Sequence, residues 1–217
     1  MNKLLSTLIV CCSLSAIAQP SAQPVVMSYD GFYDRMEVVN DGEYQFARVG
    51  FYLKTFEGAE DCPLSEGKIM TEKQTYSLTY SDRGQLFLPF DKELDTHKAV
   101  VVATPQSGSG CQLSMQIEAK MPAQPLSEAQ LFTVHEEFTE LLPDLSGFFV
   151  GTLMSFLLPD QEGIQLHFKD AVPMTVPSTW QCTQTRCKVK VDQNWQDSDK
   201  TLVDGRLLSR ITPWIAK

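Results

Sequence analysis

Three histidines, His97, His135 and His167, are the only imidazoles in the chain, and they are scattered singly. A general base must stand within hydrogen-bond reach of its proton, so each depends on its neighbours. His97 lies between Thr96 and Lys98 in a polar connection and reads as a solvated loop residue. His135 falls on the apolar stripe of a predicted helix, where a satisfied, half-buried histidine is expected rather than a ligand or base. His167 alternates out of phase with Ile164, Leu166 and Phe168, which places it on the wetter face of a strand. Carboxylates are plentiful, and glycoside hydrolysis needs two flanking a bond. Asp91 with Glu93, and Asp197 with Asp199, read instead as solvated turn residues. Trp180, Trp195 and Trp214 would stack on a sugar if gathered on one surface, but large aromatic residues near strand ends more often fill a core. The chain contains no G-x-S-x-G elbow, no H-E-x-x-H, no P-loop and no dinucleotide fingerprint. Sequence therefore assigns no catalytic residue, no cofactor-binding residue and no cofactor.

Cysteine supplies the other candidate chemistry. Beyond the N-terminal apolar run stand Cys62, Cys111, Cys182 and Cys187. An even number in an exported chain reads as disulfides. Of the three possible pairings, Cys62–Cys111 with Cys182–Cys187 is favoured, because sequence-local pairs need no contact between the two halves of the chain. Chain entropy gives these links about 4 and about 2 kcal/mol. A zinc site is disfavoured, since no C-x2-C spacing occurs and the histidines are dispersed. No metal is expected.

Export is read from the N-terminus. Met1-Asn2-Lys3 is a short cationic segment, and Leu4 to Ile17 holds nothing more polar than serine, threonine and cysteine. Ala16-Ile17-Ala18 before Gln19-Pro20 places small residues where a signal peptidase reads. Residues 1–18 are thus predicted to be a cleaved signal peptide; a transmembrane anchor would need about 20 apolar residues. Cys11 and Cys12 lie within the apolar run, and Val10 before Cys11 does not fit a lipoprotein site. Cleavage removes Lys3 and takes the formal charge from -9 to -10. So negative a field opposes nucleic acid and anionic lipid, and no nucleic-acid partner is expected. Nor is a transmembrane segment expected after cleavage.

The elements that must position these groups are mainly strands. Val25 to Tyr29 reads as a strand, Phe32, Met36 and Val39 as one face of a helical turn or two, and Tyr44 to Lys54 as a strand with a bulge near Ala47-Arg48. A hairpin turns at Ser81-Asp82-Arg83-Gly84. Ala99 to Ala103 reads as a buried strand. Cys111, Leu113, Met115, Ile117 and Ala119 alternate so cleanly that their face is predicted to meet a core. Ser127-Glu128-Ala129-Gln130 fits a capping box opening a helix from about Glu128 to Leu142. Phe148 to Leu158 is too short to span a bilayer and is predicted to be core. Gly163 to Phe168, a hairpin across Cys182 and Cys187, and Leu207 to Ile215 complete the strands. The fold expected is mainly β with some α: a signal peptide over 1–18, a β-sandwich-like domain over 19–121, a linker over 122–126, and a smaller α+β domain over 127–217.

The chain resembles the exported bacterial family labelled domain of unknown function 2987. The likeness is carried by Tyr29-Asp30-Gly31-Phe32-Tyr33-Asp34-Arg35, by Gly84-Gln85-Leu86-Phe87-Leu88-Pro89-Phe90-Asp91, and by Leu157-Leu158-Pro159 followed by Gly163. The Cys182 to Cys187 hairpin and Ile211-Thr212-Pro213-Trp214-Ile215 continue it. The resemblance implies a Gram-negative envelope protein without an assigned activity, and carries over no site residue. Export, disulfides and the missing catalytic signature point to a periplasmic binding or accessory module acting on an envelope partner or ligand. The alternatives are an envelope hydrolase directed at glycans through dispersed carboxylates, and an assembly or chaperone factor. Paired carboxylates with raised pKa would favour the hydrolase, and a long exposed edge strand the chaperone.

Overall fold

A computed structural model describes residues 23–56, 60–106, 110–120, 124–150 and 161–215, with side chains of the long helix described as far as Leu145. The architecture is mainly β with some α. In chain order the elements are β1 (Val25–Ser28), α1 (Asp30–Asp41), β2 (Ala47–Thr55), β3 (Leu64–Met70), β4 (Thr75–Ser77), β5 (Thr79–Tyr80), β6 (Gln85–Phe87) and α2 (Lys92–Thr96). There follow β7 (Val100–Pro105), β8 (Cys111–Ala119), β9 (Pro125–Ser127), α3 (Glu128–Val150), β10 (Gln161–Phe168), β11 (Gln181–Cys182), β12 (Arg186–Val189), β13 (Thr201–Asp204) and β14 (Leu208–Ile215).

The strands form three antiparallel sheets. One has the order β1-β7-β3-β4, the largest runs β11-β12-β10-β14-β8-β2-β6-β5, and β13 pairs with β9. The eight-stranded sheet draws on both sides of residues 122–126, because Ile211 of β14 pairs with Ala119 of β8. Pro125 and Leu126, read as linker, belong to β9, and Leu126 is fully buried.

Residues opposed across an antiparallel pair point to the same side, so the registers sort the large sheet into two faces. Ile164, Leu166, Ile211, Ala119, Phe51 and Leu86 share one face through successive pairings. That face is covered in two places. Leu131, Val134, Phe138, Leu141 and Leu145 of α3 pack with β10, β12 and β14. Phe32 of α1 and Ile69, Val101 and Ala103 of the smaller sheet pack with Phe51, Leu53 and Leu86. Phe32 meets Phe51 edge-on at 4.9 Å between ring centres, and Val49 touches both cores.

Local chemistry explains the boundaries. Ser127 and Gln130 form the predicted capping box, with the Gln130 N–H donating to the Ser127 hydroxyl at 3.3 Å and the Ser127 N–H to the Gln130 side chain at 3.0 Å. The helix continues through Pro143 to Val150, beyond the Leu142 expected. The hairpin at Ser81–Gly84 forms between β5 and β6. Its Gly84 has φ +73, and a Cβ there would meet the Cys62 carbonyl at 2.5 Å. Disulfides join Cys62 to Cys111 and Cys182 to Cys187. The helical turn read at Phe32 is a 12-residue helix.

Two readings are corrected. No bulge interrupts β2, which pairs regularly with β8 from Ala47↔Ala119 to Thr55↔Cys111. The change of parity arises because Tyr44 and Phe46 precede the strand. The alternation of β8 is real, and Met115 and Ile117 are half-buried against the two cores, but Leu113 is 40 % exposed, beside an apolar cleft that it and Met115 share with Phe32 and Phe51. The Phe148 to Leu158 run lies outside the described residues, save the backbone of 148–150 in α3.

Candidate functional site

The opposite face of the large sheet is polar and unusually well connected. At its middle is Glu118 of β8, opposed to Arg48 of β2 and fully buried. Its carboxylate accepts from Arg48 Nε at 3.0 Å and from the same guanidinium's terminal nitrogen at 2.8 Å. It also accepts from the Tyr52 hydroxyl at 2.6 Å and from Gln85 Nε2 at 3.3 Å. Burying a charge is costly unless it is paired and hydrogen-bonded, and here four donors meet that condition. Gly50 makes the room, since a Cβ there would lie 2.9 Å from the Glu118 carboxyl carbon. Burial, and after it Glu118, push the Tyr52 phenol up to about 12, so it stays a neutral donor.

From this network the face extends into a groove of about 450 Å³ bounded by Lys54, Glu60, Asp61, Arg83, His167, Phe168, Thr185, Arg186, Ser209 and Arg210. Asp61 pairs with Lys54 and accepts from Arg83 Nε at 2.9 Å. Burial alone would raise the Asp61 carboxyl; the hydrogen bonds from Lys54 and Arg83 outweigh it and hold the group below its ordinary range. The Arg210 guanidinium carbon lies 5.4 Å from the Tyr52 ring centre. Among the described residues no carboxylate is within salt-bridge distance of Arg186 or Arg210, and Arg210 Nε is buried without a hydrogen-bond partner.

His167 stands between these arginines, opposed to Arg186 on β12 and to Arg210 on β14. Its Nε2 is 3.0 Å from the Thr212 hydroxyl and 3.1 Å from Gln165 Nε2. Burial, then the charges of Arg210, Arg186 and Arg83, push its pKa down to about 3, so the imidazole is neutral at any ordinary pH.

Each disulfide braces one wall. Cys62 follows Asp61 directly, and Cys187 follows Arg186 directly, closing the β11–β12 hairpin that carries Thr185. The arrangement is a polar cradle in which four cations meet two carboxylates, inside a chain of net charge -9. Two clefts of similar volume elsewhere, near Met36 and Tyr44 and near Tyr76 and Leu94, lack such convergence.

The family model described as protein of unknown function (DUF2987) matches residues 21–168. The chain belongs to this family. The DUF2987 match takes in Lys54, Asp61, Arg83, Glu118 and His167, whereas Arg186, Arg210, the Cys182–Cys187 hairpin and Ile211–Ile215 lie beyond it. Neither a search of curated proteins nor a search of solved structures finds a match.

The residues singled out from sequence are not gathered together. His97 is exposed at the end of α2. His135 is half-buried on α3, its Nδ1 2.7 Å from Gln161 Nε2, and burial lowers its pKa. Asp91 caps α2 by accepting the Glu93 N–H at 2.9 Å, and Asp197 and Asp199 are exposed. Trp180 fills the core beneath α3 with Trp195 packed against it, and Trp214 lies on the polar face with Lys188 Nζ 4.9 Å from its ring centre. Only His167 reaches the groove. Its arginines escaped sequence reading because they lie on separate strands; the alternation of Arg186 and Lys188 with Cys187 and Val189 was the one local sign. Among the described residues no group of three or more His, Cys, Asp or Glu could hold a metal, and no helix is long and apolar enough to cross a membrane.

Proposed function

We propose that this member of the DUF2987 family is an exported periplasmic protein that works by binding, with the polar groove of the large sheet as its ligand site. One observation carries the reading: Lys54, Arg83, Arg186 and Arg210 converge around a neutral, half-buried His167 on walls braced by two disulfides. A preorganised polar site loses little freedom when it binds. The signal-like residues 1–18 and the two disulfides support export. One core is built wholly from residues before 122 and the other mainly from residues after 126, which supports an N-terminal unit over 19–121 and a C-terminal unit over 127–217; Phe46, Ala47 and Ala119 enter the second core, and one sheet is shared.

Features of the alternatives are less well supported. A glycan hydrolase needs an acid with a raised pKa, yet Asp61, Glu128 and Asp204 are all shifted downward. Strand donation needs a long open edge, yet the sheet edges β1, β4, β5 and β11 are two to four residues long.

The test uses isotope-labelled protein recovered from the periplasm, with Gln19 expected as its first residue. It is titrated with a panel of amino acids, short peptides, mono- and disaccharides and sugar phosphates. Amide shifts are expected at Asp61, His167, Arg186 and Arg210, lost on reduction, with the ligand recovered unchanged. Shifts confined to the apolar cleft by Phe32 and Leu113, or a converted ligand, would overturn the reading.

A further inference from the structure

We infer that the groove takes a small polyhydroxylated oxyanion, a sugar carrying one phosphate or carboxylate group, with the anion held between Arg186 and Arg210. The inference rests on the groove being a binding site and specifies what it binds.

Asp61 occupies Lys54 and Arg83, which leaves two guanidinium groups without a carboxylate among the described residues. They flank His167 in one cross-strand row. With neighbouring strands about 4.8 Å apart, their Cα atoms lie roughly 10 Å from each other. Two long side chains from those positions can close on one oxyanion. Guanidinium matches planar or tetrahedral oxyanions by paired N–H donors. Arg210 Nε–H is a buried donor with no acceptor, an arrangement that is costly unless a ligand atom accepts it. The neutral imidazole between the arginines adds no third positive charge to repel them.

The rest of the groove sets the remainder of the ligand. It is larger than a bare oxyanion requires, and apart from Phe168 its lining is polar. Ser209 and Thr185 bring hydroxyl groups, while Glu60 and Asp61 bring acceptors that suit ligand hydroxyls rather than a second anion. A polyanion is excluded by the negative field of the whole chain, as electrostatic steering would oppose its approach.

Calorimetry with glucose 6-phosphate, glucuronate, glucose and inorganic phosphate tests this, using the oxidised mature chain and its Arg186→Gln, Arg210→Gln and Lys68→Gln variants. At least one acidic sugar is expected to bind more tightly than glucose or phosphate alone, and the preferred one identifies the phosphate or carboxylate source. Each groove variant should weaken it at least about tenfold, the scale of one charged hydrogen-bonded pair, with melting temperatures showing the variants folded. Lys68→Gln, on the other sheet, should bind as wild type. Glucose binding as tightly as the acidic sugars, with amide shifts still in the groove, would overturn the anion inference and leave the binding reading standing. No binding by the panel, with shifts elsewhere for other ligands, would overturn both.

Discussion

Acidifying the protein from pH 7 to pH 5 should expose the cost of keeping His167 neutral. Its folded pKa is about 3, against an unfolded value near 6.5. The folded value is the depressed one, so its contribution is fully present above about pH 6.5 and is lost as pH falls toward 3. Below pH 6 the unfolded chain takes up a proton that the folded chain refuses, a slope of about 1.36 kcal/mol per pH unit. Integrated from pH 7 to pH 5, this group alone removes about 2 kcal/mol of stability. His135, also lowered by burial, acts in the same direction. The diagnostic is therefore the difference between wild type and His167→Gln, whose amide can still bond Thr212 and Gln165. Urea unfolding at pH 7, 6 and 5, with constant m-values, should show the variant losing about 2 kcal/mol less than wild type. Parallel curves would mean that His167 titrates normally in the folded protein, and the crowding of arginines around it would not exist as described.

Other measurements bear on the scaffold. Glu137 of α3 is buried and accepts the Gln45, Phe46 and Ala47 N–H groups at 2.7, 2.9 and 2.7 Å. Glu137→Ala should cost about 3–5 kcal/mol in urea unfolding, because buried donors lose their acceptor at roughly 1–3 kcal/mol each; a loss under about 1 kcal/mol would show that water replaces the carboxylate freely. Gly84→Ala should lower stability by about 2–3 kcal/mol, from left-handed backbone strain and the contact with the Cys62 carbonyl. An unchanged denaturation midpoint would mean the Ser81–Gly84 turn can adopt another form.

Strand alternation and capping chemistry were legible because they are local. The box at Ser127 and Gln130, the strand containing Val101 and the hairpin across Cys182 and Cys187 each follow from neighbouring residues alone. Glu137 shows where that ends. It reads as one of several solvated glutamates on α3, yet it anchors the helix to the start of β2, some 90 residues away in sequence. Glu118 was hidden in the same way, as a polar residue on the supposedly wet side of β8 that long-range packing covers completely. The groove depends on Arg83, Arg186 and Arg210 meeting across the sheet, and periodicity carries no information about which strands become neighbours.

The place of β14 in the large sheet has a consequence for the order of assembly. It is the last of the described strands to leave the ribosome, yet it lies between β10 and β8. Before it arrives, strands of eight and nine residues stand with open edges, the kind that recruit other chains into aggregates. Those N-terminal and C-terminal half-sheets cannot join until it inserts. Because Arg210 rides on this strand, the groove is completed in the same step that closes the sheet, so a chain stopped short of Leu208 lacks both a sealed fold and the Ser209–Arg210 wall of the groove.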